Sequence, residues 1–491
     1  MDILQAIKSI IKLYPDKVAI NDNYIKVTYS ELEEWSYKIA YYLKSQGIGK
    51  EDVVAVYLER SYQSICSIIG VLLSGAAFLP INIKTPIERI NYMLKTSYSK
   101  MTLIGDKTVT DMNGINVNEI IKNQVIYERE DLFNSVLDTD LSYVIFTSGS
   151  TGLPKGVMIE YEGMNHHIME KIRILGMDKT SIVAYNAPIG FDISIWQMLA
   201  PLCVGGTIVV FTDRRLMNIR KFVKQLFEEN ITILEVVPTY LKLIIDECYK
   251  QNYSFISLKF VLSTGEELKA SLAKQWVKLF SNVPLINAYG PTEASDDIMH
   301  GIITKDTITQ IDELIPIGKP IKNISIYVMN NKLEECEINQ IGELWVSGIC
   351  VARGYIGNEE ETKKYFSIDK YTKERLFMTG DLVSLGIDGN YYFYGRKDDQ
   401  VKIHGNRIEL HEIENCILSY TEIYDTKVFY NHNKNRIEAV FIANKPIVVE
   451  YLKAYLESKI PLYMIPSIFL QVKYFPVNMN GKFDINQLDD A

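Results

Sequence analysis

From Thr28 to about Ile208, apolar runs of strand length alternate with segments whose apolar residues recur at helical spacing. VVAVYL (53–58), MTLIG (101–105), SYVIFT (142–147), IVAYN (182–186) and TIVVF (207–211) predict strands, separated by segments such as YSELEEWSYKIAYYLKSQG (29–47), which predicts a helix. Such alternation is the signature of βα units and largely parallel sheets. The pattern recurs through ITILEVVP (231–238), KFVLSTG (259–265) and PLINAYG (284–290), each ending at a Gly or Pro. Ligands in α/β sheets sit at such strand ends, so the chemistry is expected there.

After about Gly318 the texture changes to short strands and turns: SIYVMN, GELWVSG, and DGNYYFYG with its Asp-Gly-Asn turn. From Gly395 it returns to βα alternation, with RIELHEIENCILSY as an amphipathic helix and TKVFYNH and IEAVFIA as strands. The predicted class is α/β: a large N-terminal domain of βα-layered sheets plus a small β-rich subdomain (1–394), followed by a small mobile α+β C-terminal domain (395–491). No internal repeat or long Gly/Ser linker interrupts the chain, so domain motion is expected to pivot near Gly395 to Gln400.

Between Arg60 and Lys84 no residue is charged, a length that could span a membrane. Gly70, Ser74, Gly75 and Pro80 interrupt it, and the segment SIIGVLLSGAAFLPI reads as a buried helix running into a short strand. No membrane partner is expected.

The 491 residues are 47% hydrophobic and 23% charged, with a formal net charge of -9, which disfavours broad nucleic-acid or anionic-membrane binding. Six dispersed cysteines form no C-x-x-C pair and read as reduced and mostly buried. The N-terminal stretch carries Asp2, Lys8 and Lys12 and lacks a small-residue cleavage site, so a cytoplasmic location is expected.

Residues Phe146 to Gly156 read FTSGSTGLPKG. Gly149 and Gly152 remove side chains where backbone N–H groups must approach phosphate oxygens, Thr147, Ser148, Ser150 and Thr151 add donors, and Lys155 adds a mobile positive charge. It is not the common P-loop, because Gly156 stands where Ser or Thr should follow the lysine.

This loop is followed in order by FDIS (191–194), NAYGPTE (287–293), GELWVSGICVARGY (342–355), TGDL (379–382), GRKDDQVKIHGNRIELHEIE (395–414), LYMIP (462–466) and NGKFD (480–484). The ordered set resembles the adenylate-forming superfamily of acyl-CoA synthetases, firefly luciferase and nonribosomal peptide synthetase adenylation domains, and most closely the last. The resemblance covers nearly the whole chain, beginning at VTYSEL (27–32).

The resemblance implies ATP and Mg²⁺ as co-substrates, and the residue types suit the roles it assigns. Tyr289 offers an aromatic face for adenine and Asn287 an amide for its edge, beside Gly265, Ala288 and Gly290. Thr292 reaches a phosphate oxygen and Glu293 holds Mg²⁺. Asp381 accepts from two ribose hydroxyls and Arg396 reaches the same sugar. Lys482 reaches between the substrate carboxylate and the ATP α-phosphate, where a positive charge offsets the repulsion of two anions. Asp398 is the hinge about which the small domain turns. Lys402 and Gly405 belong to a loop presented for thiol attack.

Asp192 stands where amino-acid adenylation domains bind the substrate ammonium. Aligned by neighbouring motifs, the remaining specificity positions are Ile193, Trp196, Glu235, Leu262, Thr264, Gly265, Ala288, Asp296 and Asp297, with Lys482. Glu235, Asp296 and Asp297 in an otherwise apolar lining call for a cationic partner, because a buried unpaired charge is costly. A basic substrate would supply one, and bulky Trp196 leans toward diaminobutyrate, diaminopropionate or ornithine, with lysine and arginine next. Were Asp296 and Asp297 on a strand, they would face opposite ways.

Three positions depart from the family pattern: Met378, His404 and Ile485 stand where a basic residue is usual. His404 lies in the thiolation loop and leaves the second half-reaction less secure. The expected function is adenylation of an amino acid and its transfer to the phosphopantetheine thiol of a carrier protein acting in trans. A CoA or amide ligase and a catalytically silent nucleotide-binding paralogue are the rival readings. With no carrier segment after NGKFD, the alternatives are a freestanding enzyme or a domain cut from a synthetase, and the Met1 start favours the former.

Overall fold

The computed structural model describes residues 2–106, 113–123, 132, 136–149, 152–254, 257–311, 313–432 and 434–476. Each apolar run singled out above forms a strand: Val53–Tyr57, Met101–Ile104, Leu141–Thr147, Ile182–Tyr185, Thr207–Val210, Ile233–Val236, Phe260–Ser263 and Leu285–Tyr289. Val53–Tyr57, with every residue buried, lies between Ala77–Ile81 and Met101–Ile104, all parallel, within a 7-stranded sheet among the described residues. Burial on both faces explains why these strands read as unbroken apolar runs.

The helices between them start and stop where local chemistry dictates. Thr28 caps Tyr29–Ser45 in a reciprocal capping box with Glu31. Tyr62–Ser74 ends at Gly75, whose left-handed backbone (φ 85°) turns the chain into Ala77–Ile81. The uncharged stretch is thus a helix and a strand, and no helix among the described residues is long and apolar enough to cross a membrane.

A second sheet, 14-stranded among the described residues, carries the strand ends that matter for chemistry. Ile182–Tyr185, Ile233–Val236, Phe260–Ser263 and Leu285–Tyr289 run parallel in it. Met299–Ile303 then returns antiparallel to Leu285–Tyr289. The β-rich texture after Gly318 continues this sheet, because Pro316–Pro320 pairs with Met299–Ile303 on one side and Tyr391–Arg396 on the other.

The chain divides into two compact units. The first comprises Met1–Ile83, Leu94–Phe146 and Gly156–Asp398, and the second Lys84–Met93, Thr147–Lys155 and the chain from Asp399. In the second, the helix expected over 407–420 is shorter, Leu410–Leu418. Its first residues instead form a strand, Asn406–Ile408, paired with Val401–Ile403. The reason is the turn between them, where His404 (φ 50°) and Gly405 (φ 76°) both take left-handed backbone and reverse the chain. A three-stranded sheet of Ile423–Asn431, Arg436–Ala443 and Ile468–Gln471 packs on Leu410–Leu418 through Ile413, Ile417, Val428 and Phe441.

Candidate active site

Within the first unit, sheet pairing sets Asp381 directly opposite Arg396 on neighbouring antiparallel strands. The Arg396 Nη1 donates to Asp381 Oδ1 at 2.6 Å and to the Thr379 carbonyl at 3.0 Å. The hydroxyl of Tyr289 donates to Asp381 Oδ2. The three residues expected around the nucleoside are therefore in contact. Asn287 is less open than the sequence suggested, since its amide donates to the Pro316 carbonyl at 3.0 Å.

The connection from Leu285–Tyr289 to Met299–Ile303 is the core of the site. Gly290 meets it so closely that a Cβ would lie 1.7 Å from the Asp296 carbonyl. Thr292–Ala294 form one turn of 3-10 helix, and Ser295 (φ 63°) and Asp296 (φ 89°) take left-handed backbone, a conformation non-glycine residues adopt at a cost. Asp296 and Asp297 are not on a strand, and both are buried.

Asp192 is the N-terminal cap of Ile193–Cys203 and accepts from the Ile193 N–H at 2.9 Å. Its other oxygen accepts from the Thr292 hydroxyl at 2.5 Å. Trp196, one turn into that helix, donates its indole N–H to Glu235 Oε2 at 2.6 Å. Parallel pairing sets Glu235 beside Leu262, and Thr264 follows that strand with its hydroxyl 3.3 Å from Asp297 Oδ1. The specificity positions Asp192, Trp196, Glu235, Thr264 and Asp297 are thus linked in one buried cluster.

The expectation that these carboxylates lack a cation of their own is corrected here. Lys171, on Tyr161–Ile174, is 1% exposed and donates to Asp297 Oδ2. Its Nζ is 3.8 Å from Glu235 Oε2 and 5.0 Å from the centroid of the Trp196 ring. Gly163 allows the helix this approach, since a Cβ there would lie 2.8 Å from the Ser295 hydroxyl. Burial works against the Lys171 charge, yet Asp297, Glu235 and Asp296 outweigh it and raise the ammonium pKa. Burial also acts against Asp297, but Lys171 and His300 hold its carboxyl well below the usual range. Glu235 is pushed far up by burial against the pull of Lys171, and Asp296 by burial and the neighbouring Asp297 and Asp192. The cluster thus sets the Lys171–Asp297 ion pair beside two acids whose burial favours the neutral form. His167 is pushed down to about 4 by burial and by Lys171, and stays neutral.

In the second unit, the Ser148 hydroxyl donates to the Arg407 carbonyl at 2.7 Å and the Gly149 N–H donates to Glu412 Oε2 at 3.3 Å. Gly152 takes φ 87°, and Lys155 opens the strand Lys155–Glu160. Lys402 lies on Val401–Ile403, ahead of the turn at Gly405. Ser150, Thr151 and Lys482 lie outside the described residues.

The family model for the AMP-binding enzyme matches residues 8–356. The chain belongs to the AMP-binding enzyme family. It is 33% identical over 485 residues to gramicidin S synthase 1 of Brevibacillus brevis, covering 97% of this chain and 43% of the relative. Against zwittermicin A synthase ZmaJ of Bacillus cereus it is 33% identical over 488 residues, covering 96% and 91%. The chain therefore spans less than half of the first relative and nearly all of the second. The solved Vibrio cholerae adenylation domain AlmE, in complex with glycyl-adenosine-5'-phosphate, shares the fold with a TM-score of 0.85 at 20% identity, covering 99% of this chain and 97% of that one. Its relatives are adenylation domains of nonribosomal peptide synthetases.

For this AMP-binding enzyme, the fit of Mg²⁺ rests on Glu293. Its Oε1 accepts from the Tyr355 hydroxyl at 2.8 Å, and no cluster of three or more His, Cys, Asp or Glu suited to a metal stands among the described residues. A single buried carboxylate suits Mg²⁺ arriving with ATP, which keeps phosphate and water for its other ligands.

Lys171 lies outside the motifs that align the specificity positions. A signal was present. Met164, Ile168 and Lys171 follow the i, i+4, i+7 stripe that buries a helix against the core, and a lysine on that stripe marks a buried cation.

Proposed function

We propose that this enzyme adenylates an amino acid with ATP and passes the aminoacyl group to the phosphopantetheine thiol of a carrier protein. The observation that carries the reading is the 2.5 Å hydrogen bond from Thr292 to Asp192. It joins the carboxylate that would bind the substrate's α-ammonium to the segment, Thr292 and Glu293, that would hold phosphate and metal. The substrate carboxylate oxygen would attack the α-phosphorus, forming the acyl–phosphate bond while the α–β bond breaks and pyrophosphate leaves. The carrier thiolate would then attack the acyl carbon and AMP would leave.

In this scheme Asp192 orients the amino acid, Asp381 and Arg396 the ribose, and Tyr289 the adenine. Mg²⁺ at Glu293 would neutralise phosphate charge. Gly149, Gly152 and Lys155, with Ser150 and Thr151, are proposed for the leaving phosphates, and Lys482 for the reacting carboxylate. Asp398 is proposed as the hinge between adenylation and thiol transfer, with Lys402 and Gly405 serving the latter. The V. cholerae relative in complex with glycyl-adenosine-5'-phosphate and the Klebsiella oxytoca fusion of adenylation and PCP domains support the two half-reactions.

The preferred side chain is proposed to be short and basic. Lys171 and Asp297 satisfy each other, but Glu235 Oε1 and Asp296 Oδ2 are buried without a hydrogen-bond partner. A second ammonium would ionise and satisfy them. The test is amino-acid-dependent exchange of labelled pyrophosphate into ATP over a panel of diamino, neutral and acidic amino acids. Greatest exchange with diaminopropionate, diaminobutyrate or ornithine is expected. Exchange with none of the panel would end the reading, and exchange only with neutral amino acids would end its basic part.

A further inference from the structure

We infer that Lys171 is a specificity-determining residue, a built-in ammonium standing where the side-chain ammonium of a longer diamino acid would otherwise lie, so that it limits the length of side chain the pocket takes. The inference rests on the reading that Glu235 and Asp297 face the substrate side chain.

The geometry is that of a ligand group supplied by the protein. Lys171 Nζ donates to Asp297, stands 3.8 Å from Glu235 and lies over Trp196 at 5.0 Å, so it touches three of the positions assigned to the substrate. Its side chain has no solvent exposure, and those of Glu235 and Asp297 have 0% and 1%. A stem of four methylenes enters from Tyr161–Ile174 and places its charge at the carboxylates. A lysine or arginine substrate would have to put a second cation beside it. Two like charges that close disfavour each other strongly in a dry site.

Lys171 does not use up the acids, however. Asp297 is its direct partner, while Glu235 Oε1 and Asp296 Oδ2 have no hydrogen-bond partner. The His167 Nε2 nearest to Asp296, at 3.1 Å, is also without a hydrogen bond. A short side chain with one ammonium would meet this remaining demand without displacing Lys171.

The test compares pyrophosphate exchange of the wild-type chain with that of Lys171→Ala and Lys171→Arg over diaminopropionate, diaminobutyrate, ornithine, lysine and alanine. Lys171→Ala opens space and leaves Asp297 seeking a cation, so kcat/KM for lysine relative to diaminobutyrate is expected to rise about tenfold or more, the scale of discrimination by one or more methylenes. Lys171→Arg keeps the charge but lengthens it, and is expected to shift preference toward diaminopropionate. The second variant also keeps the inference falsifiable if the first does not fold. A wild-type ranking in every folded variant would overturn the role of Lys171 while leaving a basic-substrate reading intact. A wild-type enzyme that ignores diamino acids, with variants whose ranking still changes, would overturn the substrate reading and keep Lys171 as its determinant.

Discussion

Arg396 holds Asp398 with two parallel hydrogen bonds, Nε to Oδ1 at 2.6 Å and Nη2 to Oδ2 at 2.7 Å. The third nitrogen of the same guanidinium donates to Asp381 at 2.6 Å. One side chain therefore ties the proposed ribose acceptor to the last residue of the first unit. Lysine keeps the charge but cannot make this fork. Arg396→Lys is expected to raise KM for ATP about tenfold, the scale of one charge-assisted hydrogen bond. It should also slow transfer to a carrier thiol more than pyrophosphate exchange. Equal slowing of both would sever the link between ribose and hinge.

The bond from Thr292 to Asp192 makes a second prediction specific. Asp192→Asn preserves the shape of the cap but removes the charge that would meet an α-ammonium. KM for the amino acid is expected to rise roughly tenfold to a hundredfold, as for a charge-assisted hydrogen bond. KM for ATP should stay within about twofold. A change confined to ATP would place Asp192 on the wrong substrate.

Burial gives Lys171 and Asp297 opposite consequences when they are altered singly and together. Asp297→Ala leaves a buried ammonium without its direct partner and is expected to destabilise the chain by about 3–5 kcal/mol. The double variant Lys171→Met with Asp297→Asn removes both charges at similar volume and should recover most of that loss. Denaturant unfolding of the three chains decides it, and additive losses would mean that the two side chains are not energetically coupled.

The raised acids predict a pH dependence with a definite sign. Glu235 and Asp296 are raised above the usual carboxylate range, and the other titratable groups around them are Lys171, Asp297, Asp192, His167 and His300. Lys171 stays charged, Asp297 ionised and both histidines neutral near pH 7. A cationic side chain is best met by an ionised acid, so binding is expected to release a proton. KM for a diamino acid is therefore expected to fall more steeply as pH rises than KM for alanine, because Asp192, which would meet the α-ammonium of both, is itself raised by burial. Calorimetry in buffers of different ionisation enthalpy would read the released proton directly, and proton uptake would reverse the assignment.

Gly290 is the residue on which the acidic turn rests. A Cβ there would lie 1.7 Å from the Asp296 carbonyl and 2.7 Å from the Asp297 Cα. Gly290→Ala must push the turn outward, and a loss of amino-acid-dependent exchange beyond about a hundredfold is expected, since misplacement near 1 Å costs that much. Near-native exchange would show that the position of Asp296 and Asp297 is not critical.

Much of this was legible in the chain. Val53–Tyr57 is visible in the sequence because a strand covered on both faces is a short unbroken apolar run. The loop at Gly149, the candidate ribose acid Asp381 and the acids Asp192, Glu235, Asp296 and Asp297 were found from motif order, since each sits at the end of a strand or in a fixed turn. The helix expected over 407–420 starts only at Leu410, because the turn at His404 and Gly405 competes with helical periodicity over a few residues.

Sequence by itself determined the alternation of strands and helices and the family, because these follow from periodicity and from motifs of fixed spacing, and it named Glu235, Asp296 and Asp297, which the fold buries near one another. Tertiary structure alone decided how those acids are paired. Lys171 and Asp297 are separated by 126 residues, and nothing local pairs them. They meet because Tyr161–Ile174 packs beside a strained turn at Ser295 and Asp296, close enough only because Gly163 has no side chain. An ion pair between distant segments depends on how buried surfaces come together, and that contact turns an apparent excess of acid into one satisfied pair and two acids that each keep one oxygen without a hydrogen bond.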